Sequence, residues 1–172
     1  GKGTLVTRVR ERRSNLGLTV SATTRAPRKG EVDGVNYFFL TREEFDRRVA
    51  NGEFVEWAEV HGNCYGTLVS EVTSKLASGA SLILEIEVQG ALQVKERFPE
   101  AVLIFIKPPS LEVLRERLVG RGTETPETIE LRMANAADEL ALADRYDDVV
   151  VNDDLDRATD ELVRVLDMHE RS

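Results

Sequence analysis

The stretch SLILEIEVQGALQVKERFPEAVLIFI, residues 81–106, decides the fold class. Residues 81–88 are rich in Leu, Ile and Val, and they predict a buried strand that ends among carboxylates. Residues 90–98 have the apolar spacing of a helix, and residues 101–106 predict a second, uninterrupted apolar strand. Apolar strands that alternate with helices are typical of a parallel sheet covered by helices on both faces. We therefore predict an α/β fold.

Helix-start signals outside this stretch support the same fold class. Thr41 is followed three residues later by Glu44, which is the spacing of a capping box. Ser110 precedes a helical run, and Pro126 stands in a first helical turn, where proline is tolerated. Further helices are predicted over residues 4–14, 41–52, 68–79, 110–120, 126–143 and 155–170, and short strands over 18–22 and 148–153.

Composition restricts the classes of function. The 172 residues are 41% hydrophobic and carry a net charge of -8, which favours a soluble globular chain of one domain, with or without inserts. The negative charge argues against bulk nucleic-acid or anionic-membrane binding. The single Cys64 cannot form an internal disulfide, which fits a cytoplasmic setting. His61 and His169 are far apart and have no Cys partners at zinc-binding spacing.

Two groups of residues could bind an anion in this acidic chain. The stretch TTRAPRKG, residues 23–30, carries Arg25 and Arg28 but no acid, so it is either an anion site or a solvated basic turn. Tyr37 and Tyr65 could add hydroxyls to a phosphate site, and the alternative for each is a core ring with its hydroxyl at the surface.

Carboxylates form the next group of candidates. Glu56 and Glu59 lie in an apolar, aromatic stretch, so each is either on a solvated strand face or held for a ligand with paired N–H donors. Period-2 alternation favours the solvated face for at least one of them. Glu85 and Glu87 share one face at the end of a predicted strand, which suits a hydrated metal ion.

The opening residues GKGT, residues 1–4, match the end of a phosphate-binding loop, G-x-x-x-x-G-K-[ST]. Gly3 replaces the usual hydroxyl residue after Lys2, and Thr4 follows one place later. The alternative is an exposed lysine before a helix. Near the other end, Arg121 and Arg132 stand eleven residues apart across a hinge that contains Gly120 and Gly122, as in a closing lid.

Taken in order, six motifs resemble guanylate kinase, the nucleoside monophosphate kinase family that acts on GMP. The resemblance covers residues 1–170, and its most specific part combines T-T-R-x-P-R-x-G-E with E-x-x-x-x-x-G-N-x-Y-G-[ST]. It implies a P-loop NTPase-like parallel sheet with a small GMP-binding insert and a lid. The motifs are SATTRAPRKGEVDGVNYFF, EFVEWAEVHGNCYGT, LEIEVQGA, IFIKPPS, GRGTET and VNDDLD.

The resemblance implies three segments and a role for each candidate residue. The core is expected over residues 1–20, 76–118 and 136–172, the GMP-binding region over 21–75 and the lid over 119–135. The acceptor side is expected to read guanine with Ser21, Glu56 and Thr67, to hold the GMP phosphate with Arg25, Arg28, Tyr37 and Tyr65, and to place Glu85 and Glu87 near GMP, Glu87 standing where the family usually has Asp.

The donor side is implied in the same way. Lys2, Arg121 and Arg132 are expected to be catalytic, and Mg²⁺ is expected to reach Thr4 and Glu87, mainly through water. The expected ATP-binding residues are Gly1, Lys2, Gly3, Thr4, Arg121, Arg132 and Asn152.

The resulting hypothesis is an ATP:GMP phosphotransferase of purine nucleotide metabolism that also accepts dGMP. Its expected partners are GMP and ATP, without nucleic acid or membrane, and self-association is compatible with it. One rival is a non-catalytic, guanylate-kinase-like module that binds phosphopeptides, although such modules lack ATP-site residues. The other rival is a kinase for a different nucleotide, which Glu56, Ser21 and Thr67 argue against.

The resemblance also predicts what precedes the chain. A first strand and the leading glycines of the loop, roughly ten residues, are expected before Gly1, a size set by one strand and half a loop. A chain that begins at Gly1 is therefore expected to be poorly stable and nearly inactive, because a sheet without its first strand exposes unpaired backbone.

Overall fold

The computed structural model describes residues 2–79, 81–86, 88–122 and 124–170. The chain forms two compact units. The terminal unit combines Gly1–Arg12 with Val102–Ser172, and the central unit is Arg13–Ala101. The three segments predicted from the sequence follow a different division and remain a prediction.

The elements follow one another in chain order, with one 3₁₀ turn at Ala143–Arg145. They are α1 (Lys2–Arg12), β1 (Leu16–Leu18), β2 (Ala22–Thr23), β3 (Phe38–Phe39), α2 (Arg42–Ala50), β4 (Phe54–Val60), β5 (Asn63–Leu68), α3 (Val69–Ala77), β6 (Ser81–Ile83), α4 (Val88–Arg97), β7 (Ile104–Lys107), α5 (Leu111–Gly120), α6 (Pro126–Ala141), β8 (Asp148–Val151) and α7 (Leu155–Glu170).

Parallel strand pairs are present in both units. In the central unit β1 pairs with β6, and in the terminal unit β7 pairs with β8, both in parallel. Each parallel connection needs a crossover, and the intervening segments contain helices. The α/β class predicted from the sequence is therefore confirmed.

The central unit also contains a four-stranded sheet in the order β3-β2-β5-β4. Strands β4 and β5 form an antiparallel hairpin that turns at His61 and Gly62. Phe54 stacks 4.4 Å from the ring of Phe45 on α2, so the helix is fixed to the sheet by aromatic packing. The cluster beneath the sheet consists of Ala22, Phe45, Phe54, Cys64 and Leu68.

A second cluster in the central unit joins β4 to two helices. Val55 of β4, Val72 of α3 and Val94 of α4 are buried together. Neighbouring residues of one strand thus pack into two different clusters, since Phe54 belongs to the first and Val55 to the second.

The terminal unit is built on the packing of α1 against α7. Leu5 and Val9 are one helical turn apart on α1 and are fully buried. Two ion pairs connect the exposed sides of the same helices, Arg8 with Asp156 and Arg12 with Asp160. None of the helices in the described part of the chain is long and apolar enough to cross a membrane.

Most predicted helix starts agree with the structure. The side chains of Thr41, Ser110 and Thr125 cap α2, α5 and α6, each accepting a backbone N–H three residues on. Only half of the predicted capping box forms, because the Glu44 carboxylate pairs with Arg47 and Arg48.

Strand lengths differ from the prediction. The strand expected over residues 81–88 ends at Ile83, because its parallel partner β1 is only three residues long, and α4 begins at Val88. Of the strand expected over residues 18–22 only the ends are in strands, because Leu18 ends β1 and Ala22 begins β2, and these two strands belong to different sheets. The strand expected over residues 101–106 is Ile104–Lys107.

Candidate active site

A β-bulge at Val55 sets the position of the central carboxylate. Phe54 pairs with Leu68 and Glu56 pairs with Thr67, so Val55 is an extra residue on β4. As a result three consecutive residues, Phe54, Val55 and Glu56, are all buried, which regular alternation on a one-sided sheet would not allow.

Glu56 is held inside the central unit by a hydroxyl. Its side chain is 7% exposed, and its Oε1 accepts a hydrogen bond of 2.8 Å from Thr67 Oγ1. Burial of a carboxylate is costly unless hydrogen bonds compensate for lost water. Glu56 and Thr67 therefore form a fixed, desolvated polar pair.

Glu59 provides the contrast on the same strand. It is exposed, and its carboxylate accepts a 2.8 Å hydrogen bond from Arg42 Nη1. The two carboxylates that the sequence left undecided thus take different surroundings, Glu59 the solvated face and Glu56 the interior.

Arg25 is oriented by a bidentate ion pair with Glu31. The two hydrogen bonds measure 2.9 and 3.0 Å, and the guanidinium lies 5.1 Å from the centre of the Tyr37 ring. Hydrogen bonds from Arg25, together with one from the Arg28 backbone N–H, hold the pKa of Glu31 below its usual value. The basic stretch is thus partly neutralised by an acid that immediately follows it.

The two candidate tyrosines meet near this ion pair. The rings of Tyr37 and Tyr65 are 6.3 Å apart in an edge-to-face arrangement, and both are half-buried. The side chain of Arg28 is exposed. The structure therefore brings Arg25, Tyr37 and Tyr65 together and leaves Arg28 on the surface of the same loop.

Two threonines tie this loop to the sheet, and sequence reasoning missed both. Thr23 is fully buried, and its Oγ1 donates to Cys64 O at 2.9 Å and accepts from Arg25 N at 3.2 Å. Thr24 Oγ1 accepts from Cys64 N at 2.9 Å. Burial raises the pKa of the Cys64 thiol. The sequence feature that could have indicated these two contacts is the Thr-Thr pair directly before Arg25.

The remaining acceptor-side candidates have less defined surroundings. Ser21 is half-buried just before β2, and its carbonyl accepts a 2.8 Å hydrogen bond from Phe38 N. Glu85 is exposed in the segment after β6. Glu87 lies outside the described residues.

The terminal unit contains a cavity of about 460 Å³. Three of the donor-side candidates, Thr4, Arg121 and Asn152, line it. Lys2 and Gly3 begin α1 immediately before Thr4, and Gly1 lies outside the described residues. The other lining residues are Phe105, Ile106, Pro108, Leu114, Arg117, Leu118, Ala136, Glu139, Leu140, Asp153 and Leu155.

Arg132 and Arg117 of the terminal unit lie in different positions relative to the cavity. Arg132 is not part of the cavity wall, and its Nε lies 2.8 Å from Glu124 Oε2 in an ion pair that is not aligned as a hydrogen bond. Arg117, which sequence reasoning missed, lines the cavity and donates to Asn152 O at 3.2 Å. No motif distinguishes Arg117 from Arg115, the other arginine of α5.

A permanent metal site is not assembled from side chains in the described residues. No group of three or more His, Cys, Asp or Glu side chains in residues 2–79, 81–86, 88–122 and 124–170 is arranged to hold a metal ion.

Comparison with known protein families identifies the family of this chain. The family model described as "Guanylate kinase" matches residues 2–169. The chain belongs to the guanylate kinase family. The resemblance inferred from the order of the motifs is thereby confirmed, while the roles of the individual residues remain predictions.

Individual guanylate kinases match this chain over most of their own length. The chain is 54% identical over 166 residues to the guanylate kinase of Halalkalibacterium halodurans and 55% identical to that of Gloeobacter violaceus, covering 96% of this chain and 81% of each relative. A crystal structure of guanylate kinase from Anaplasma phagocytophilum matches with a TM-score of 0.77 at 37% identity, over 99% of this chain and 82% of that chain.

Proposed function

We propose that the chain transfers the γ-phosphoryl group of ATP to GMP or dGMP, giving ADP and GDP or dGDP. The observation that carries this proposal is the buried, hydrogen-bonded pair of Glu56 and Thr67 in a member of the guanylate kinase family. A desolvated carboxylate beside a hydroxyl is a polar pair with the chemistry that guanine requires.

Guanine presents N1–H and N2–H₂ side by side as donors and O6 as an acceptor. The Glu56 carboxylate can accept both donors, and the hydroxyl of Ser21 can donate to O6. The single hydroxyl hydrogen of Thr67 is donated to Glu56 in this structure, so Thr67 can donate to O6 only if that hydrogen turns from Glu56 to the base. Adenine has an unprotonated N1 and an amine in place of O6, so it would leave the buried carboxylate without its donors. The pair therefore supports selection of guanine over adenine.

The phosphate of GMP is assigned to the cluster of Arg25, Tyr37 and Tyr65, with Arg28 as a further cation. Arg25 presents a planar fork of donors already oriented by Glu31, which suits a phosphate monoester. The ring hydroxyls of the two tyrosines supply neutral donors to the same group.

Transfer itself needs charge neutralisation more than base catalysis. The attacking oxygen of GMP is already anionic, so the main barrier is the approach of two anions in line. Lys2, Arg121 and Arg132 are proposed to neutralise that repulsion, and a lid over residues 119–135 to exclude water. The cavity that Arg121 and Asn152 line is the proposed ATP site.

Mg²⁺ is proposed to arrive with ATP. The described residues form no group of three or more His, Cys, Asp or Glu side chains for a resident ion, so the proposal relies on Mg²⁺ being held largely by phosphates and water, with few protein ligands. Thr4, which lines the cavity, and Glu87 would hold it mainly through water. The ion supplies positive charge to the phosphate oxygens.

A coupled assay of ADP formation tests the proposal. We expect turnover with GMP and dGMP in the presence of Mg²⁺ and ATP, and discrimination against AMP of about 10⁴-fold in kcat/KM. Equal turnover of GMP and AMP would contradict the guanine assignment. Binding of GMP without transfer would indicate a binding module.

A further inference from the structure

The outer edge of β4 is covered by side chains of α4. In the order β3-β2-β5-β4 the strand is outermost, so β5 pairs with only one of its edges. Gln93 pairs with the backbone of Trp57 on the other edge, accepting from Trp57 N at 3.3 Å and donating to Trp57 O at 3.4 Å. One amide side chain thus hydrogen-bonds both the backbone N–H and the backbone carbonyl of Trp57, the residue next to Glu56.

Arg97 extends the same contact along the strand. Its Nη1 donates to Phe54 O at 3.2 Å and its Nη2 to Gly52 O at 3.1 Å. Gln93 and Arg97 are four residues apart and therefore share one face of the helix. Val94, between them in sequence, is buried with Val55. The bulged segment of β4 is thus held by polar and apolar contacts from one helix.

Gly90 belongs to the same helical face, three residues before Gln93. A Cβ atom at Gly90 would lie 2.8 Å from Glu56 Oε2 and 3.3 Å from Glu56 Cδ. Apart from its chain neighbours and its own helix backbone, the three atoms nearest to that position all belong to the Glu56 side chain. A methyl group there could be accommodated only by moving the carboxylate, and that movement would disturb its hydrogen bond with Thr67.

We propose that α4 is a positioning helix for guanine recognition, in which Gly90 leaves room for the Glu56 carboxylate and Gln93 fixes the strand beside it. The inference rests on the proposed function, since it deepens the account of base selection at the same site. Gly90 and Gln93 act through Glu56 and do not themselves contact the base, so they are positioning residues.

Gly90→Ala is the sharpest test, because the same methyl group favours the helix and displaces the carboxylate. Alanine is favoured over glycine inside a helix, and this gain offsets part of the cost of moving the buried Glu56 away from Thr67, so we expect cooperative unfolding with little change in melting temperature. The added methyl displaces Glu56, so we expect KM for GMP to rise by about tenfold, the equivalent of one hydrogen bond to a charged group, with KM for ATP unchanged.

Gln93→Met tests the second contact with a side chain of similar length that cannot hydrogen-bond the Trp57 backbone. We expect KM for GMP to rise by about five- to thirtyfold, the equivalent of one to two hydrogen bonds. Glu96→Ala is the matched control, because Glu96 is exposed on the same helix. If Gln93→Met does not melt cooperatively, Gln93→Asn replaces it, since its amide is one methylene too short to reach both backbone groups.

Discrimination between GMP and IMP separates positioning from a general loss of structure. IMP lacks the N2 amine, so it offers one donor fewer to Glu56, and displacement of Glu56 should cost GMP more than IMP. We expect the ratio of kcat/KM for GMP over IMP to fall in Gly90→Ala and Gln93→Met and to stay unchanged in Glu96→Ala. An unchanged ratio in both variants, or an equal loss with every nucleotide, overturns the proposal.

Equilibrium binding distinguishes failure of this inference from failure of the proposed function. Trp57 is the single tryptophan of the chain and adjoins Glu56, so its fluorescence can follow GMP binding without ATP. If the parent protein does not phosphorylate GMP, the proposed function fails. Weaker GMP binding by the two variants than by the parent would still support the positioning role, and equal binding would overturn it.

Discussion

Glu56 and Arg121 are both charged residues with predicted roles in one reaction, but their surroundings differ. Glu56 is buried, hydrogen-bonded by Thr67 and backed by Gly90. Arg121 is exposed at the end of α5 on the wall of an open cavity. A buried polar group can select a ligand by the cost of leaving it unpaired, whereas an exposed cation can respond to charge that develops during the reaction.

The same difference extends to their neighbours. In the central unit Arg25 is already fixed by Glu31 and Tyr37, and Thr23 ties its loop to the sheet. We infer that selection of the acceptor is built into the folded central unit, while the donor side of the terminal unit is completed when nucleotide binds. Four predictions test this comparison.

Glu56→Ala should give the largest effect. Loss of two charge-assisted hydrogen bonds predicts a fall in kcat/KM for GMP of about 10²–10⁴-fold, with KM for ATP little changed. Steady-state kinetics with each nucleotide measure it. Glu59→Ala is the control, because Glu59 is exposed on the same strand. If Glu56→Ala uses GMP like the parent, Glu56 is only a structural carboxylate.

Arg121→Ala should lower kcat by about 10²–10³-fold, as removal of one charge-stabilising donor does in other enzymes. Because the side chain is exposed, we expect the melting temperature to stay the same. Arg115→Ala is the control on the same helix, since Arg115 pairs with Glu130 and does not line the cavity. Single-turnover kinetics distinguish a slower transfer from slower product release, and normal transfer would remove Arg121 from the catalytic group.

Gly66→Ala should destabilise the central unit by about 1–3 kcal/mol, the usual cost of an overpacked site. A Cβ at Gly66 would lie 2.7 Å from Phe54 Cδ1 and 2.8 Å from Glu56 O, and the backbone oxygen cannot move cheaply. Gly120→Ala is the control, since a Cβ there meets nothing within 4 Å. Urea unfolding measures both, and equal stability of the two variants would show that the hairpin is packed more loosely than described.

Glu31→Gln should give the smallest effect, and one that depends on pH. The folded-state pKa of Glu31 is lowered from 4.5, so the ion pair contributes stability above that pH and loses it as the pH falls through the folded-state value. We expect the variant to melt below the parent at pH 6 and the two to converge in acid. Glu100→Gln, at an exposed position, is the control. A constant difference at all pH values would contradict the pairing of Arg25 with Glu31.

Local signals made the helices predictable. The last helix spans residues 155–170 in both prediction and structure, and the caps at Thr41 and Ser110 form as expected. Each of these features depends on residues within one or two turns, which are adjacent in the sequence. The family could be recognised for a related reason, since its motifs are short and their order is preserved.

Contacts between distant residues were not predictable in the same way. The extra residue at Val55 exists only in relation to β5, and the approach of Gly90 to Glu56 joins positions far apart in the chain. Period-2 alternation could say that Glu56 and Glu59 lie on opposite faces, but not which one is buried. The strand over residues 81–88 was overestimated because apolar composition does not report the length of its partner.

The burial of Cys64 has a practical consequence for following motion. It is the only cysteine, it is fully buried within the four-stranded sheet, and its thiol has a raised pKa. Alkylating reagents attack the thiolate. Because the buried thiol is inaccessible and its raised pKa disfavours the thiolate, the reaction requires the sheet to open. The rate of Cys64 alkylation therefore reports how often the central unit opens locally. A ligand that binds the closed sheet should lower this alkylation rate in proportion to its occupancy.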